Sequence, residues 1–533
     1  MTAQTDSTGA GRSIARGAAT VMAAFIISNL LGLLAKILTA RAFGTSGEID
    51  AFFAANRLSE LLFNLVAGGA LGSAFIPAFT ALLAKDQREK AWRLASSVAN
   101  LVEVILFLLC LLAVFLADPI VRYILAPGFT DPVQHQLTVT LLRLLLPSAM
   151  IFGLSGLVMG ILNGHRIFLF PALAPALYSI GWIIGAVVLA PVMGIYGLAW
   201  GTILGALLHL GIQIPVLMRL PERKYRFSFG LNNPDVREVG RLMAPRLLGV
   251  AVVQLNFVLN TIIASQQPEG SITGISLAFP VMMMPQAAIA QSVAIAALPA
   301  FSAQVALGKL DEMRVSLARS LRGVLLLAIP ASVGLIVLRT PIVALLYQRG
   351  EFSAESTRMV AWALLWYAAG LIGHCVVEVT ARAFYALHDT KTPVIVGALA
   401  MTLNLGFSIL FSSLFSQAGL PAHGGLALAN SAATFLEMAG LLYLMRKKLN
   451  GIEGRLLWNA VIPALISALV MGGALLGWIN FSSHLPVLAT AAGGIVLGGA
   501  IILILYFRFR VREVSTLFRM GKNQLDRRFF HRS

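Results

Sequence analysis

The sequence predicts an all-α polytopic membrane protein, with about 14 transmembrane helices arranged as two pseudo-symmetric six-helix lobes and two C-terminal helices. Three observations carry this. The 533 residues are 58% hydrophobic and only 12% charged, with a mean hydropathy of +0.84, whereas soluble domains hold about 25% charged residues. Apolar runs of about 20 residues, bounded by charge or turn residues, recur along the whole chain. Several motifs return at one fixed spacing.

In chain order the runs cover 18–43, 50–84, 92–117, 135–163, 167–190, 194–218, 238–264, 270–305, 316–338, 356–386, 393–415, 423–446, 456–479 and 486–507. The first is too long for a removable signal peptide and lacks its small-residue cleavage site. Lys and Arg alternate between abundant and scarce from one connection to the next, as topology requires. Basic connections hold Arg12 and Arg16, Lys85 to Arg93, His165 and Arg166, Arg219 to Arg226, Lys309 to Arg319, Lys391, Arg446 to Lys448, and Arg508 to Arg512. An even number of spans with both ends basic places both termini in the cytoplasm. The tail, with Lys522, Arg527 and Arg528, is expected against anionic headgroups.

The spacing of motifs indicates duplication. Pro77 in IPAF and Pro299 in LPAF are 222 residues apart. The same 222 separates Gly128 in APGF from Gly350 in QRGEF, and Pro171 in FPALAP from Pro393 in TPVIVG. That offset contains six spans, an even number, so the two halves keep one orientation as parallel repeats. The expected division is a cytoplasmic segment 1–17, an N-lobe 18–219, a basic cytoplasmic linker 220–237, a C-lobe 238–447, a final helix pair within 448–508 and a basic cytoplasmic tail 509–533. Such a plan favours a transporter over a channel or an enzyme.

Other function classes find no support. The formal charge of +17 is spread over short loops, and no soluble basic domain exists to bind nucleic acid. Cys110 and Cys375 both lie in apolar runs, which supports neither a disulfide framework nor a zinc site. There is no GxxxxGK[ST] loop, nucleophile elbow or metal-ligand cluster, so no cofactor is expected. Within NLVAGGALGSAFIPAF, Gly68, Gly69, Gly72, Ala70 and Ala74 form a small-residue face, and Pro77 frees a backbone carbonyl. A bent, thin-walled helix suits a gate, with Pro299 as its counterpart; close packing is the alternative.

FGTSGEIDAFFAANRL (43–58), GGALGSAFIPAF, APGF, GILNGHRIFLFPALAP (160–175), LLYQRGEF (345–352) and RAFYALHDTKTPV (382–394) together resemble the MurJ/MviN lipid II flippases of the multidrug/oligosaccharidyl-lipid/polysaccharide exporter superfamily. The resemblance runs from about Ser28 to Lys447. It implies movement of undecaprenyl-pyrophosphate-linked disaccharide-pentapeptide, the peptidoglycan precursor, from the cytoplasmic to the outer leaflet of the bacterial inner membrane. It also implies a groove along the last two helices for the polyprenyl tail. The chain departs from the family at its cavity arginines: Asn29, Ala35 followed by Lys36, Phe63 and Pro280 stand where the family has functional charges, and Gly68 replaces a glutamate.

A pyrophosphate group needs cations, and charges inside spans are functional candidates. Lys36, Arg57 and Arg246 are therefore expected to rebuild the cationic cavity, with Glu60 one turn from Arg57 and Asp50 near the external end of the second span. Alternatives are snorkelling for Lys36 and a local ion pair for Arg57 and Glu60. Glu378, Arg382 and His374 share a face of the tenth span, as a structural pair or a proton relay. Asn260, Asn404, Ser408 and Thr434 offer oxygens to a hard cation, Na+ being the family's expected ion; interhelical hydrogen bonding is the alternative. Energy is expected from the membrane potential or from an Na+ or H+ gradient. Rival readings are export of another lipid-linked oligosaccharide or amphiphile, and a degenerate transporter acting as a scaffold for cell-wall synthesis enzymes.

Overall fold

The computed structural model describes residues 5–65, 71–221 and 224–511. The chain runs through α1 (Thr5–Phe43), α2 (Gly47–Phe63), α3 (Leu71–Ala84), α4 (Arg88–Phe115), α5 (Ala117–Ile120), α6 (Pro132–Gly164), α7 (Leu169–Ile184), α8 (Ala190–Met193), α9 (Ile195–Gly211) and α10 (Ile214–Met218). It continues through α11 (Pro234–Ser265), α12 (Ser271–Gln286), α13 (Ser292–Ala306), α14 (Leu310–Tyr347), α15 (Ala354–Ala386), α16 (Lys391–Gln417), α17 (His423–Lys448), α18 (Gly454–Phe481) and α19 (Val487–Arg508). Wider π-type turns at 185–189 and 287–291 join α7 to α8 and α12 to α13. There is no strand among the described residues.

Twelve helices among the described residues are long and apolar enough to cross a membrane. The other two of the fourteen expected spans, 50–84 and 238–264, include residues or side chains outside the described ones. In the run 50–84, α2 reaches Phe63, Asn64 and Leu65 are in a wider turn, and α3 is described from Leu71. The run 238–264 lies inside α11, and its apolar part among the described residues is Val253–Ser265. Helix starts follow capping chemistry. Asp131 accepts from the Val133 and Gln134 amides at 3.2 Å each ahead of Pro132, and Asn233 accepts from the Asp235 amide at 2.9 Å ahead of Pro234.

The chain divides into two compact units, one reaching Thr273 and including Arg349–Ser353, the other Gly274–Gln348 with everything from Ala354 onward. Helix α11 groups with the first unit because it packs on α2, α3 and α4. Within that unit, α6 is central, touching α2, α3, α4 and α9. Helices α7 and α9 approach through glycines: a Cβ on Gly185 would come within 2.9 Å of the Gly201 Cα, a small-residue seam suited to helices in lipid. In the second unit α14 and α15 pack together, α15 meets α17, α17 meets α16, and α18 and α19 cover α14. Ser332 donates to the Ala368 carbonyl at 2.7 Å and Ser431 to the Trp366 carbonyl at 2.6 Å. Asp389, in the turn before α16, accepts from Lys448 at 2.6 Å.

Candidate functional site

The charges predicted inside the spans of the first unit converge. On α2, Arg57 donates from Nη1 to Glu60 Oε2 at 2.7 Å, and Asn56 donates to Glu60 Oε1 at 2.9 Å. Lys36 on α1, partly buried, is within electrostatic range of both Glu60 and Arg57. Two cations therefore lie near one carboxylate, which is ion-paired to Arg57. The Arg57 guanidinium lies 5.6 Å from the centre of the Phe257 ring on α11. Its Nε is buried and has no hydrogen-bond partner among the described residues. A partly buried guanidinium with a spare donor is equipped to receive an anion.

Aromatic rings wall this cluster. Tyr178 on α7 is within electrostatic range of Glu60, and its ring meets Phe152 at 5.0 Å and Trp182 at 6.0 Å. Phe63, standing where the resemblance expects an arginine, packs its ring 4.5 Å from Phe152. That position now supplies wall instead of charge. Ala35 is likewise buried, and Asn29 is exposed. Asn56, Tyr178 and Phe257 were not anticipated. Asn56 could have been found by its i,i+4 spacing to Glu60, whereas Tyr178 and Phe257 come from other helices and leave no local signal.

Asp50, expected as a substrate-binding group, has partners of its own. It is 2% exposed, and its carboxylate accepts from the Gly270 amide at 2.7 Å, the Thr273 amide at 2.8 Å and the Thr273 hydroxyl at 2.5 Å. Both oxygens are committed to holding the turn before α12. Asp50 belongs to a clasp at the end of the bundle opposite the start of α1. There Glu269 accepts from the Gly47 amide, and Gln134 donates to the Gly47 carbonyl at 3.1 Å.

The clasp also explains two repeat landmarks. The turn carrying Gly350 sits on the end of α1: the Glu351 amide donates to the Arg41 carbonyl at 2.9 Å, and a Cβ on Gly350 would lie 2.5 Å from that oxygen. Gly44 and Gly350 also have left-handed φ values of +60° and +62°, which favour glycine. The turn carrying Gly128 sits in the same way on the end of α11. The Gly128 amide donates to Ser265 Oγ at 3.2 Å, and a Cβ there would overlap the Ser265 carbonyl. The seats are equivalent, since Phe43 and Ser265, the last residues of α1 and α11, are themselves 222 apart.

Arg246 lies on α11, but its side chain is outside the described residues, as are Gly68 and Gly69. Pro77 lies inside α3 and Pro299 inside α13. Asn260 belongs to the first unit, where it donates to Asn256 at 3.3 Å, while Asn404, Ser408 and Thr434 belong to the second. There Ser408 donates to Asn404 at 3.3 Å, and Thr434 meets the Asn430 carbonyl at 2.9 Å and His374 at 3.3 Å. Lys522, Arg527 and Arg528 lie outside the described residues.

Comparison with known proteins follows this geometry. The protein-family model described as "Lipid II flippase MurJ" matches residues 39–506. A lipid II flippase MurJ of Burkholderia cenocepacia is 31% identical over 79% of this chain and 83% of its own length. A probable lipid II flippase MurJ of Vibrio cholerae is 29% identical over 93% of this chain and 97% of its own. Among solved structures, a lipid II flippase MurJ in an inward closed conformation superposes with a TM-score of 0.77 at 25% identity, over 92% of this chain and 98% of that one. An inward-facing MATE family transporter of the MOP superfamily gives 0.65 at 15% identity over 80% and 96%, a likeness of fold.

Proposed function

This chain belongs to the MurJ family of lipid II flippases, and we propose that it carries lipid II from the cytoplasmic to the outer leaflet by alternating access, with Lys36 and Arg57 receiving the pyrophosphate. The family match over 39–506 carries the reading; it makes the protein a multi-pass transporter of the bacterial inner membrane. Export of a different amphiphile and a purely scaffolding role gain no comparable support.

In this reading Arg57 exchanges partners. Free, it is held by Glu60; with substrate, its unpaired Nε and a released Nη1 present the paired donors that a phosphate accepts best. Lys36 adds a point charge, and Arg246 is proposed to join them. The aromatic wall of Phe63, Phe152 and Tyr178 keeps the surroundings poor in water, which strengthens each contact. The termini are assigned to the cytoplasm by the basic connections, so the clasp is assigned to the outer face.

The polyprenyl tail is assigned to the last helices. A cleft of about 640 Å³ in the second unit, lined by Leu321, Ile329, Ile372, Val376, Leu457 and Val461 among others, supports a lipid chain against α18. Carrying about two negative charges out of a negative interior is favoured by roughly 2.3 kcal/mol per charge per 100 mV, enough to drive transport without ATP. Na+ at Asn260, Asn404, Ser408 and Thr434, or H+, is the proposed alternative coupling ion, and cell-wall synthesis enzymes are the proposed protein partners.

The test is lipid II accessibility in the outer leaflet of proteoliposomes, with and without an imposed potential. The reading expects acceleration over empty liposomes, its loss in the Lys36→Ala/Arg57→Ala/Arg246→Ala variant, and rescue of cells depleted of their own flippase. A triple variant that transports at the full rate removes the proposed clamp, and wild-type protein without acceleration removes the function.

A further inference from the structure

The basic linker is built rather than slack. After α10 the chain runs without helix or strand from Lys224 to Gly230, and its polar side is bonded along one stripe of α4. The Arg226 amide donates to Ser96 Oγ at 3.2 Å, Asn100 donates to the Ser228 carbonyl at 2.9 Å, and the Tyr225 hydroxyl donates to Asn100 Oδ1 at 2.6 Å. The Arg226 guanidinium reaches Glu89 at 3.0 Å. Gly230 fits closely, since a Cβ there would lie 2.6 Å from Ser97 Oγ. Glu89, Ser96 and Asn100 recur at helical spacing on α4, so the helix offers one polar track to one strap.

The strap's other side is unlike a soluble loop. Tyr225, Phe227, Phe229 and Leu231 alternate with polar residues, and they are 65%, 74%, 36% and 63% exposed. The Phe227 and Phe229 rings meet at 5.4 Å, giving a small aromatic ridge. Lys224 beside it is exposed, and no ion pair of its ammonium occurs among the described residues.

The level of the strap on α4 decides what covers the ridge. Hydrocarbon roughly 30 Å thick takes about 20 helical residues, and counting back from Phe115 at the far end of α4 reaches Ser96. The large exposed apolar side chains of α4 begin at Val104 and continue to Phe115. The strap thus crosses α4 where its lipid-facing surface gives way to polar residues. That is the depth at which tyrosine and other aromatic rings gather and where basic groups meet anionic headgroups.

We propose that residues 224–231 are an interfacial anchor, laid in the headgroup layer of the basic side of the membrane, with the aromatic ridge dipping toward the acyl chains and Lys224 engaging anionic lipid. The segment that connects the two repeats is then tied to the bilayer as well as to α4.

The test uses the full chain in vesicles of phosphatidylethanolamine with phosphatidylglycerol. Phe227→Cys, and separately Leu231→Cys, is made in a Cys110→Ser/Cys375→Ser background and spin-labelled, and collisions with oxygen and with a water-soluble nickel chelate are compared. Oxygen collisions exceeding nickel collisions several-fold at both sites, with the ratio falling when Lys224 is replaced by alanine, is the expected result. Nickel collisions dominating at both sites, as for a loop in water, overturn the anchor. So does a label shielded from both reagents, which would mean that protein covers the ridge.

Discussion

Each unit carries an arginine–glutamate pair inside its spans, yet the two are wired differently. In the second unit Arg382 gives both Nε and Nη2 to Glu378 Oε1, at 3.3 and 3.1 Å, and lies 5.9 Å from the Tyr385 ring. No third charge is ion-paired with them among the described residues, and the pair is neutral. In the first unit Arg57 spends one nitrogen on Glu60, Asn56 takes the other carboxylate oxygen, Nε is left over and Lys36 adds a second cation. Equal composition on a helix face can therefore mean a closed structural pair or an open anion seat. The deciding features are how many donors remain unspent and whether a neighbouring helix supplies an uncompensated charge.

The comparison breaks most decisively at the arginines. Arg57→Ala is expected to lower lipid II transport in proteoliposomes by about a hundredfold, the order of two lost charge-assisted hydrogen bonds, whereas Arg382→Ala should cost only a few-fold. Equal losses in the two variants would erase the distinction drawn here. Next comes Lys36: alanine should cost about tenfold, near 1.4 kcal/mol, and arginine should restore most of the rate if the position supplies charge. Failure of Lys36→Arg beside a well-folded protein would point to packing instead.

Stability separates the units further. Gly128→Ala should destabilise the detergent-purified protein by about 1–3 kcal/mol, read as a lower melting temperature, because its methyl group would overlap the Ser265 carbonyl. Gly323→Ala, with nothing within 4 Å, should leave the melting temperature within error. The smallest effect is expected at Asp389. Its hydrogen bond from Lys448, helped by Thr392, holds its carboxyl down at about 2. A depressed carboxyl contributes stability above its ordinary value of about 3.9 and loses it as pH falls through the folded value. Asp389→Asn should thus melt slightly below wild type at neutral pH, by the roughly 0–1 kcal/mol of an exposed pair. The gap should close between about pH 4 and pH 2.

Much of this was legible in the chain. The ends of α15 at Ala386, α17 at His423 and α1 at Phe43 fall where charge and turn residues interrupt the apolar runs, because desolvation sets those limits. The offset of 222 was legible too, though not its use: Gly128 and Gly350 stood out as matched landmarks without revealing that each is seated on a helix end contributed by the opposite repeat. The partners of Asp50 were hidden for a related reason. A carboxylate near the end of a span looks available for ligand until the backbone amides of a distant turn are found on it. The wider turn after Phe63 leaves no mark in the hydropathy of residues 50–84. Hydropathy registers the cost of leaving water and is blind to a change in helical winding.

The glycine seats at Arg41 and Ser265 bear on how this fold ages under mutation. Their closest contacts are made by main-chain atoms that every amino acid possesses, so neighbouring positions are free to drift while the latch survives. Three small residues, 44, 128 and 350, carry nearly all the vulnerability, and a library of random variants should find them intolerant amid permissive surroundings.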